Sequence, residues 1–339
     1  MKKLRVGIIG MGIGEKHLQA FEKNRYCEIA MLCDFDASKL AEIKAKYPQY
    51  SACLDASEVI SDPRINVLSI ASYDNFHFAQ TIAALEAGKH VYAEKPFCLY
   101  RAEADRIGKL LNAKRHLKFS SNLVLRTVPR FKELRKKIRA GELGPLFHLE
   151  GDYNYGRVEK LTNGWRGQID FYSPVYGGGV HIVDLLHWLS GEKITEVQAI
   201  GNNISTKGTS FRYNDMVTAL VKFENGMTGK ISANFACVYP HFHKINIYGT
   251  KGTFEQDMIH ANYYFSRDKD DKPVADLNDY PGHSTRGELI AGFIDAIVDD
   301  AQPLVTPQEV FDAMSVCFAI EDALKSGEKV KVSYMEVYK

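Results

Sequence analysis

Short apolar runs alternate with amphipathic helical stretches through the first third of the chain. Leu4–Ile9, Ile29–Cys33, Asn66–Ala71, Val91–Ala93 and Leu117–Asn122 read as strands, with a weaker one near Cys53. Phe76–Ala87 and Ala102–Ala113 have helical spacing, and the helix after the first strand turns Leu18 and Phe21 to one face. Such alternation predicts a doubly wound parallel sheet. Past Asn122 the rhythm changes. Arg126–Arg139 predicts a basic amphipathic helix whose charges form a solvated face. From Leu146 the period becomes two. Leu146–Tyr155, Thr195–Ile204, Tyr213–Phe223, Met227–Phe235 and Phe242–Tyr248 predict strands, and Glu224-Asn225-Gly226 a hairpin turn. Few helices intervene, so this second sheet is expected to be antiparallel. Helices are predicted over Val180–Leu189, Arg286–Asp299 and Pro307–Ser326, the last with Thr306 as its cap. Asp268–Asp271 reads as a charged loop.

Length and composition narrow the class. A chain of 339 residues exceeds one ordinary core, so two domains are expected, changing over near Asn122–Pro129. With 43 Lys and Arg against 42 Asp and Glu, nothing in the overall charge points to nucleic acid or an anionic membrane. The six cysteines are scattered without a C-x-x-C pair, which predicts a reducing, cytoplasmic setting. The N-terminal apolar run is too short and too rich in glycine for a signal peptide. No stretch approaches the ~18 consecutive apolar residues of a membrane span.

Chemistry enters at Gly10-Met11-Gly12-Ile13-Gly14, directly between the first strand and its helix. Glycines there let a backbone approach a pyrophosphate at a helix N-terminus. Asp34 closes the second strand about 20 residues further on, where a ribose-binding acid is expected. Phe35 follows it, and no Arg or Ser stands there to hold a 2′-phosphate, so NAD is favoured over NADP. The fingerprint is one residue shorter than G-x-G-x-x-G, and Glu15 stands where the third small residue would fall.

Three stretches then resemble a known family. They are Ala71-Ser72-Tyr73-Asp74-Asn75-Phe76-His77, Ala87-Gly88-Lys89-His90-Val91-Tyr92-Ala93-Glu94-Lys95-Pro96, and His181-Ile182-Val183-Asp184-Leu185-Leu186-His187-Trp188-Leu189. Their order and spacing resemble the glucose–fructose oxidoreductase / inositol dehydrogenase / rhizopine catabolism (Gfo/Idh/MocA) family over nearly the whole chain. The resemblance implies an NAD-binding Rossmann domain at 1–122. It implies an α+β substrate-binding domain at 123–339, whose open, mainly antiparallel sheet joins a homodimer or homotetramer. The implied activity is hydride transfer between nicotinamide and a secondary hydroxyl or keto carbon of a carbohydrate: a sugar, polyol or nucleotide-linked sugar. Gly10, Gly12, Ile13, Gly14, Asp34, Ser72, His77, Glu94, Lys95 and Asn122 are the implied cofactor residues. A Lys95–Pro96 cis bond is implied as well.

Alcohol oxidation needs a base for the hydroxyl proton. A lysine is a poor base at its free pKa of ~10.4, and burial beside a cationic nicotinamide lowers such a value. Lys95 is the expected acid/base and His181 its proton partner. Asp184 shares a helix face with His181 and is expected to orient it, to bind a sugar hydroxyl or, as readily, to serve the structure alone. Arg166 and Tyr172 are further substrate candidates. The family commonly carries an acid four residues before its histidine, and here that residue is Gly177. His241 and His243 share a strand face and with His181 offer nitrogen ligands for a zinc ion; the chemistry of the resembled family needs no metal, and none is expected. Two rival readings remain: an NAD-dependent glycosidase that oxidises its substrate transiently, and a non-catalytic NAD-sensing protein.

Overall fold

The computed structural model describes residues 3–282, 285 and 287–338 and divides the chain into two compact units. The first comprises 1–122, 286–311 and 335–339; the second comprises 123–285 and 312–334. Arg286, the expected first residue of a helix, lies outside the described residues.

The first unit is built on strands β1 (Leu4–Ile9), β2 (Cys27–Cys33), β3 (Ser51–Cys53), β4 (Val67–Ile70), β5 (His90–Ala93) and β6 (Phe119–Ser121). All pair in parallel, in the order β3-β2-β1-β4-β5-β6. Helices α1 (Gly14–Glu22), α2 (Ala37–Lys46), α3 (Ala56–Ser61), α4 (Asp74–Glu86) and α5 (Arg101–Ala113) connect them. The strand order reverses between β1 and β4, which opens a crevice at the carboxyl ends of the strands. Gly10, Asp34, Ser72, Glu94, Lys95 and Asn122 each follow directly on, or within two residues of, a strand end at that edge. Gly88 ends α4 with a φ of +74°, and the buried Lys89 amine donates to the Asp62 and Ile65 carbonyls at 2.7 and 2.9 Å. The residues before β5 are thus structural, and they fix where that strand delivers Lys95.

The second unit has helix α6 (Pro129–Arg139), strand β7 (Leu146–Asn154), the short helix α7 (Glu159–Thr162) and helix α8 (Val180–Ser190). Strands β8 (Ile194–Asn202), β9 (Met216–Phe223), β10 (Thr228–Asn234), β11 (Phe242–Gly249), β12 (Thr253–Gln256), β13 (Ala261–Tyr264) and β14 (Val274–Ala275) follow. Together with β15 (Val330–Lys331) they form a nine-stranded sheet in the order β14-β13-β12-β11-β7-β10-β9-β8-β15. Every neighbouring pair is antiparallel except β7 and β10, which run parallel. That exception follows from α8, which carries the chain away from β7 before the β8–β10 meander returns beside it. The expected hairpin joins β9 to β10: Gly226 has a φ of +92° and the Phe223 N–H reaches the Met227 carbonyl. Strands β12 to β15 were not legible as strands. Each spans only two to four residues, too short to show an alternating period.

Two expectations need correction. The helix predicted from Arg126 begins at Pro129, because the residue before a proline is pushed out of the helical region; Val128 is extended at φ −64°, ψ 122°. Val124–Thr127 is instead a 3₁₀ turn, which sends Arg126 inward. The stretch 123–339 is also not a single unit. Helix α9 (Glu288–Val298) and the first turns of α10 (Pro307–Ser326) belong to the first unit. The apolar face of α9 explains this, since its buried Phe293 lies 5.5 Å from the Tyr92 ring on β5. Phe311, at the start of α10, packs on Phe97 and Phe119 at 4.8 and 6.2 Å. Thr306 and Glu309 form a reciprocal capping box that starts α10 where the sequence expects it. Among the described residues, no helix is long and apolar enough to cross a membrane.

Phe293→Ala should destabilise the first unit by about 3–5 kcal/mol, although it lies some 170 residues beyond the last strand of that sheet. Urea unfolding followed by far-ultraviolet circular dichroism would measure this, and a loss below about 1 kcal/mol would show that α9 is peripheral.

Candidate active site

The crevice of the first unit grows from the turn after β1. Gly10 has a φ of +87°, and a Cβ there would lie 2.4 Å from the Ala71 carbonyl oxygen. Only glycine allows the turn to pass that close to the end of β4. A Cβ on Gly12 would meet nothing within 4 Å, so a ligand can approach that backbone. A Cβ on Gly14, the first residue of α1, would touch Ile8 at 3.1 Å. The shortened fingerprint therefore keeps three jobs: tight turn, open approach, and close packing of helix on strand. Ile13, just before α1, is exposed. Glu15 turns away to α2, where Lys46 lies at 3.5 Å and the Tyr47 hydroxyl donates to it at 3.3 Å.

Asp34 is buried at the end of β2. Its carboxylate accepts from the Met11 N–H at 2.7 Å and the Asp36 N–H at 3.0 Å. A carboxylate has about four acceptor positions, so two remain for ribose hydroxyls. Phe35, Tyr73 and Phe76 cluster beside it, with Phe35 5.3 Å from Tyr73 and 6.3 Å from Phe76. Phe35 and Phe76 are exposed, giving the crevice an apolar wall that the sequence reading did not anticipate. The Ser72 hydroxyl donates to Gln80 at 2.7 Å. The buried His77 ring spans two strand ends, with Nε2 3.0 Å from the Ser72 carbonyl and Nδ1 2.6 Å from that of Pro96. It braces the segments on either side of the crevice.

Glu94 is the centre of a buried polar network. His17 Nε2 lies 3.2 Å from Glu94 Oε1, and His17 Nδ1 lies 2.8 Å from the Ser69 hydroxyl. The Asn122 amide donates to the same Glu94 oxygen at 2.5 Å and accepts from the Tyr92 hydroxyl at 2.9 Å. The other oxygen, Oε2, accepts from the Lys95 backbone N–H at 3.2 Å. Burial by itself pushes this carboxyl up; the His17 hydrogen bond and charge, the Lys95 charge and the Asn122 amide outweigh it and hold the pKa at about 2. Lys95 is half-buried, and the Lys95–Pro96 bond is cis. His17 was missed in the sequence. The signal that could have found it is its position on the inner face of α1, beside Leu18 and Phe21.

The second unit carries candidate residues of its own. Val175–Gly179 is a turn of π-helix that runs directly into α8. At two of the three glycines, aromatic groups take the space of a side chain. A Cβ at Gly177 would lie 2.0 Å from the Tyr172 hydroxyl, and one at Gly178 would lie 2.3 Å from the Tyr153 ring. His181 is buried on α8, its ring stacked 6.1 Å from Tyr153. Arg166 donates from Nε to the Tyr172 oxygen at 3.1 Å. Asp184, on the same helix, is paired with an arginine. The buried Arg126 guanidinium clamps its carboxylate, with Nε and Nη2 at 2.9 and 2.6 Å. Asp184 thereby anchors the first turns of α8. His243 is buried against Tyr280, whose hydroxyl is 2.6 Å from Nδ1; burial and then the nearby His241 lower its pKa to about 3. Among the described residues, no group of three His, Cys, Asp or Glu is arranged to hold a metal.

With this geometry, the comparisons become informative. Residues 4–122 match the family described as oxidoreductase family, NAD-binding Rossmann fold, and residues 131–255 match the GFO/IDH/MocA C-terminal domain. The chain belongs to the GFO/IDH/MocA oxidoreductase family. NAD is therefore its cofactor, in agreement with the glycine turn and the acid after β2. A myo-inositol 2-dehydrogenase of Thermotoga maritima is 27% identical over 264 residues, 76% of either chain. The uncharacterized oxidoreductase YrbE of Bacillus subtilis is 25% identical across 99% of this chain and 98% of its own. Among solved structures, a levoglucosan dehydrogenase in complex with NADH superposes with a TM-score of 0.86 at 21% identity, over 98% of this chain and all of that one. At that identity the likeness establishes the fold alone. Both layers of this family fold, the parallel sheet and the mainly antiparallel one, were expected from the sequence.

Two outcomes test the electrostatics. The folded pKa of Glu94 lies below the unfolded value of ~4.3, so its stabilisation is present at neutral pH and lost as pH falls through about 2. Glu94→Gln should be less stable than the parent at pH 7, with the gap closing in acid; a pH-independent gap would refute this. Arg126→Met strands a buried carboxylate and should cost about 3–5 kcal/mol. Adding Asp184→Leu should recover most of that loss in urea unfolding.

Proposed function

We propose that this protein is an NAD-dependent dehydrogenase or reductase acting on a secondary hydroxyl or keto carbon of a sugar, polyol or nucleotide-linked sugar. The observation that carries the proposal is the strand end at β5. A lysine follows directly on a carboxylate that is itself clamped by His17, Asn122 and the lysine's own N–H. Bound NAD supplies the ring that accepts or returns hydride. Gly10, Gly12, Ile13 and Gly14 offer the pyrophosphate cradle, Asp34 the ribose acceptor, and the exposed Phe35 and Phe76 an apolar face for the adenine.

Lys95 acts as the acid/base. In oxidation it takes the hydroxyl proton as hydride leaves the carbon; in reduction it returns that proton. Glu94, ionised and held by three hydrogen bonds, is a positioning residue for Lys95. His181 is the substrate's partner on the second unit, supported by its site on a helix anchored through Asp184 and Arg126. Arg166 and Tyr172 contact the substrate. The name of the Thermotoga maritima relative, a myo-inositol 2-dehydrogenase, supports a cyclic polyol as substrate. Six free cysteines, five of them buried, support a reducing cytoplasm. The outer face of the nine-stranded sheet exposes Ile200 and Leu220 among polar residues, which supports self-association as a dimer or tetramer through it.

Lys95→Ala should keep NAD affinity within a few-fold and lower turnover by about two to four orders of magnitude. Absorbance of reduced nicotinamide across a panel of inositols, hexoses and sugar nucleotides measures both quantities. Parent-like turnover in the variant would remove Lys95 from the chemistry. Turnover of a glycoside without net NADH would replace the dehydrogenase by the NAD-recycling glycosidase.

A further inference from the structure

Beside His181, the end of β7 carries an aromatic ladder toward the surface. The His181 and Tyr153 rings stack at 6.1 Å, with 22° between their planes. Those of Tyr153 and Tyr155, two apart and on one face of the strand, stack at 5.9 Å and 23°. The Arg157 guanidinium caps the ladder, 5.0 Å from the centre of the Tyr155 ring. His181 and Tyr153 are buried, Tyr155 is half-buried and Arg157 is exposed. The backbone holds this end in place beyond Asn154. The Tyr155 N–H donates to the Asn234 carbonyl at 2.8 Å, and the Arg157 N–H to that of Phe235 at 3.1 Å. Between them Gly156 has a φ of +60°, and a Cβ there would collide with the Tyr239 carbonyl oxygen. Only glycine makes this bend, and the chain beyond it lays Arg157 over the Tyr155 ring.

Two donors on this ladder find no acceptor in the protein. Among the described residues, no carboxylate pairs with Arg157 and no group hydrogen-bonds the Tyr153 hydroxyl, although Tyr153 is only 5% exposed. Burial, then the neighbouring Tyr155 and Tyr172, push the pKa of the Tyr153 phenol up, and the Arg166 and Arg157 charges oppose them. The phenol therefore keeps its proton and lies within the field of two cations. A guanidinium stacked on a ring keeps its N–H edge for a planar anion. Phenol O–H and guanidinium edge together make a charge-assisted donor set. A neutral hydroxyl would use the phenol and leave the guanidinium charge unanswered.

We infer that Tyr153 and Arg157 form an anion subsite next to His181, which holds a carboxylate or phosphate carried by the substrate sugar. That the ligand is a sugar, and that it meets His181, rests on the function proposed above. No bond is made or broken at the subsite, and no proton changes owner. Its two donors fix the charged end of the substrate, while the ladder marks the side of His181 on which that end lies. The substrate class that fits is a sugar acid, a sugar phosphate or a nucleotide-linked sugar, in preference to a neutral hexose or polyol.

Calorimetry on the full-length, NADH-loaded protein tests this with glucose and galactose, their uronates, their 6-phosphates and their UDP-linked forms. At least one anionic form should bind about 10-fold or more tightly than its neutral parent, and which form does so separates a carboxylate from a phosphate. Added salt should shrink that advantage. Arg157→Gln should remove most of it, and Tyr153→Phe, which keeps the ring, a smaller part, both with the unfolding midpoint unchanged. Anionic forms that bind no more tightly than their neutral parents overturn the inference. So does an advantage that survives Arg157→Gln, or a parent protein that binds no member of the panel. Tight, Arg157-dependent binding of an anionic sugar that exchanges no hydride with the cofactor overturns the dehydrogenase reading and leaves the subsite standing. Hydride exchange with the neutral sugars alone does the reverse.

Discussion

A carboxylate without water has to be surrounded by donors, and Glu94 is the place where this protein meets that constraint. His17 comes from α1, the helix that opens the cofactor turn, and Asn122 closes β6. The Lys95 N–H is the third donor. Each donor is in position only if α1, β5 and β6 are all in register. The network therefore welds the phosphate-binding turn to the strand that delivers the lysine. Removing one donor would leave a buried charge short of partners, which costs far more than the hydrogen bond alone.

The second unit repeats the device with opposite partners. Arg126 leaves the solvated side because Pro129 cannot continue a helix backwards, and its guanidinium finds Asp184 one turn after His181. A bidentate pair fixes direction as well as distance. Helix α8 is thus held at its first turns by an ion pair and is packed so tightly on β7 that a Cβ at Gly151 would lie 2.3 Å from Ile182. In both units, a residue expected to touch ligand is carried on an element whose neighbours leave it little freedom. Such sites need less reorganisation when substrate arrives.

Roles that looked alike in the sequence separate once partners are known. Lys89 and Lys95 are six residues apart in one motif. Lys89 spends its amine on two backbone carbonyls, whereas Lys95 follows the strand end. Asp34 keeps acceptor capacity after bonding the Met11 and Asp36 N–H groups, whereas Asp184 is clamped by an arginine through both carboxylate oxygens. Gly177 read as a gap, and the structure shows it as the seat of a phenol. Type and spacing could not distinguish these cases, because what differs is the partner reached across the fold.

By itself, the sequence determined the parallel sheet, its cofactor turn and the strand end at Lys95, because periodicity, glycine and proline act over a few neighbouring residues. It also fixed the β9–β10 hairpin and the start of α10, whose turn and cap are equally local. Only the tertiary structure decided that α9 returns to the first unit, that β7 and β10 run parallel, and that His17 pairs with Glu94, Arg126 with Asp184 and Tyr172 with Arg166. Those outcomes depend on contacts between residues far apart in the chain, such as His17 with Glu94 and Arg126 with Asp184. Burial makes such pairings obligatory, and no local pattern announces which partner burial will choose.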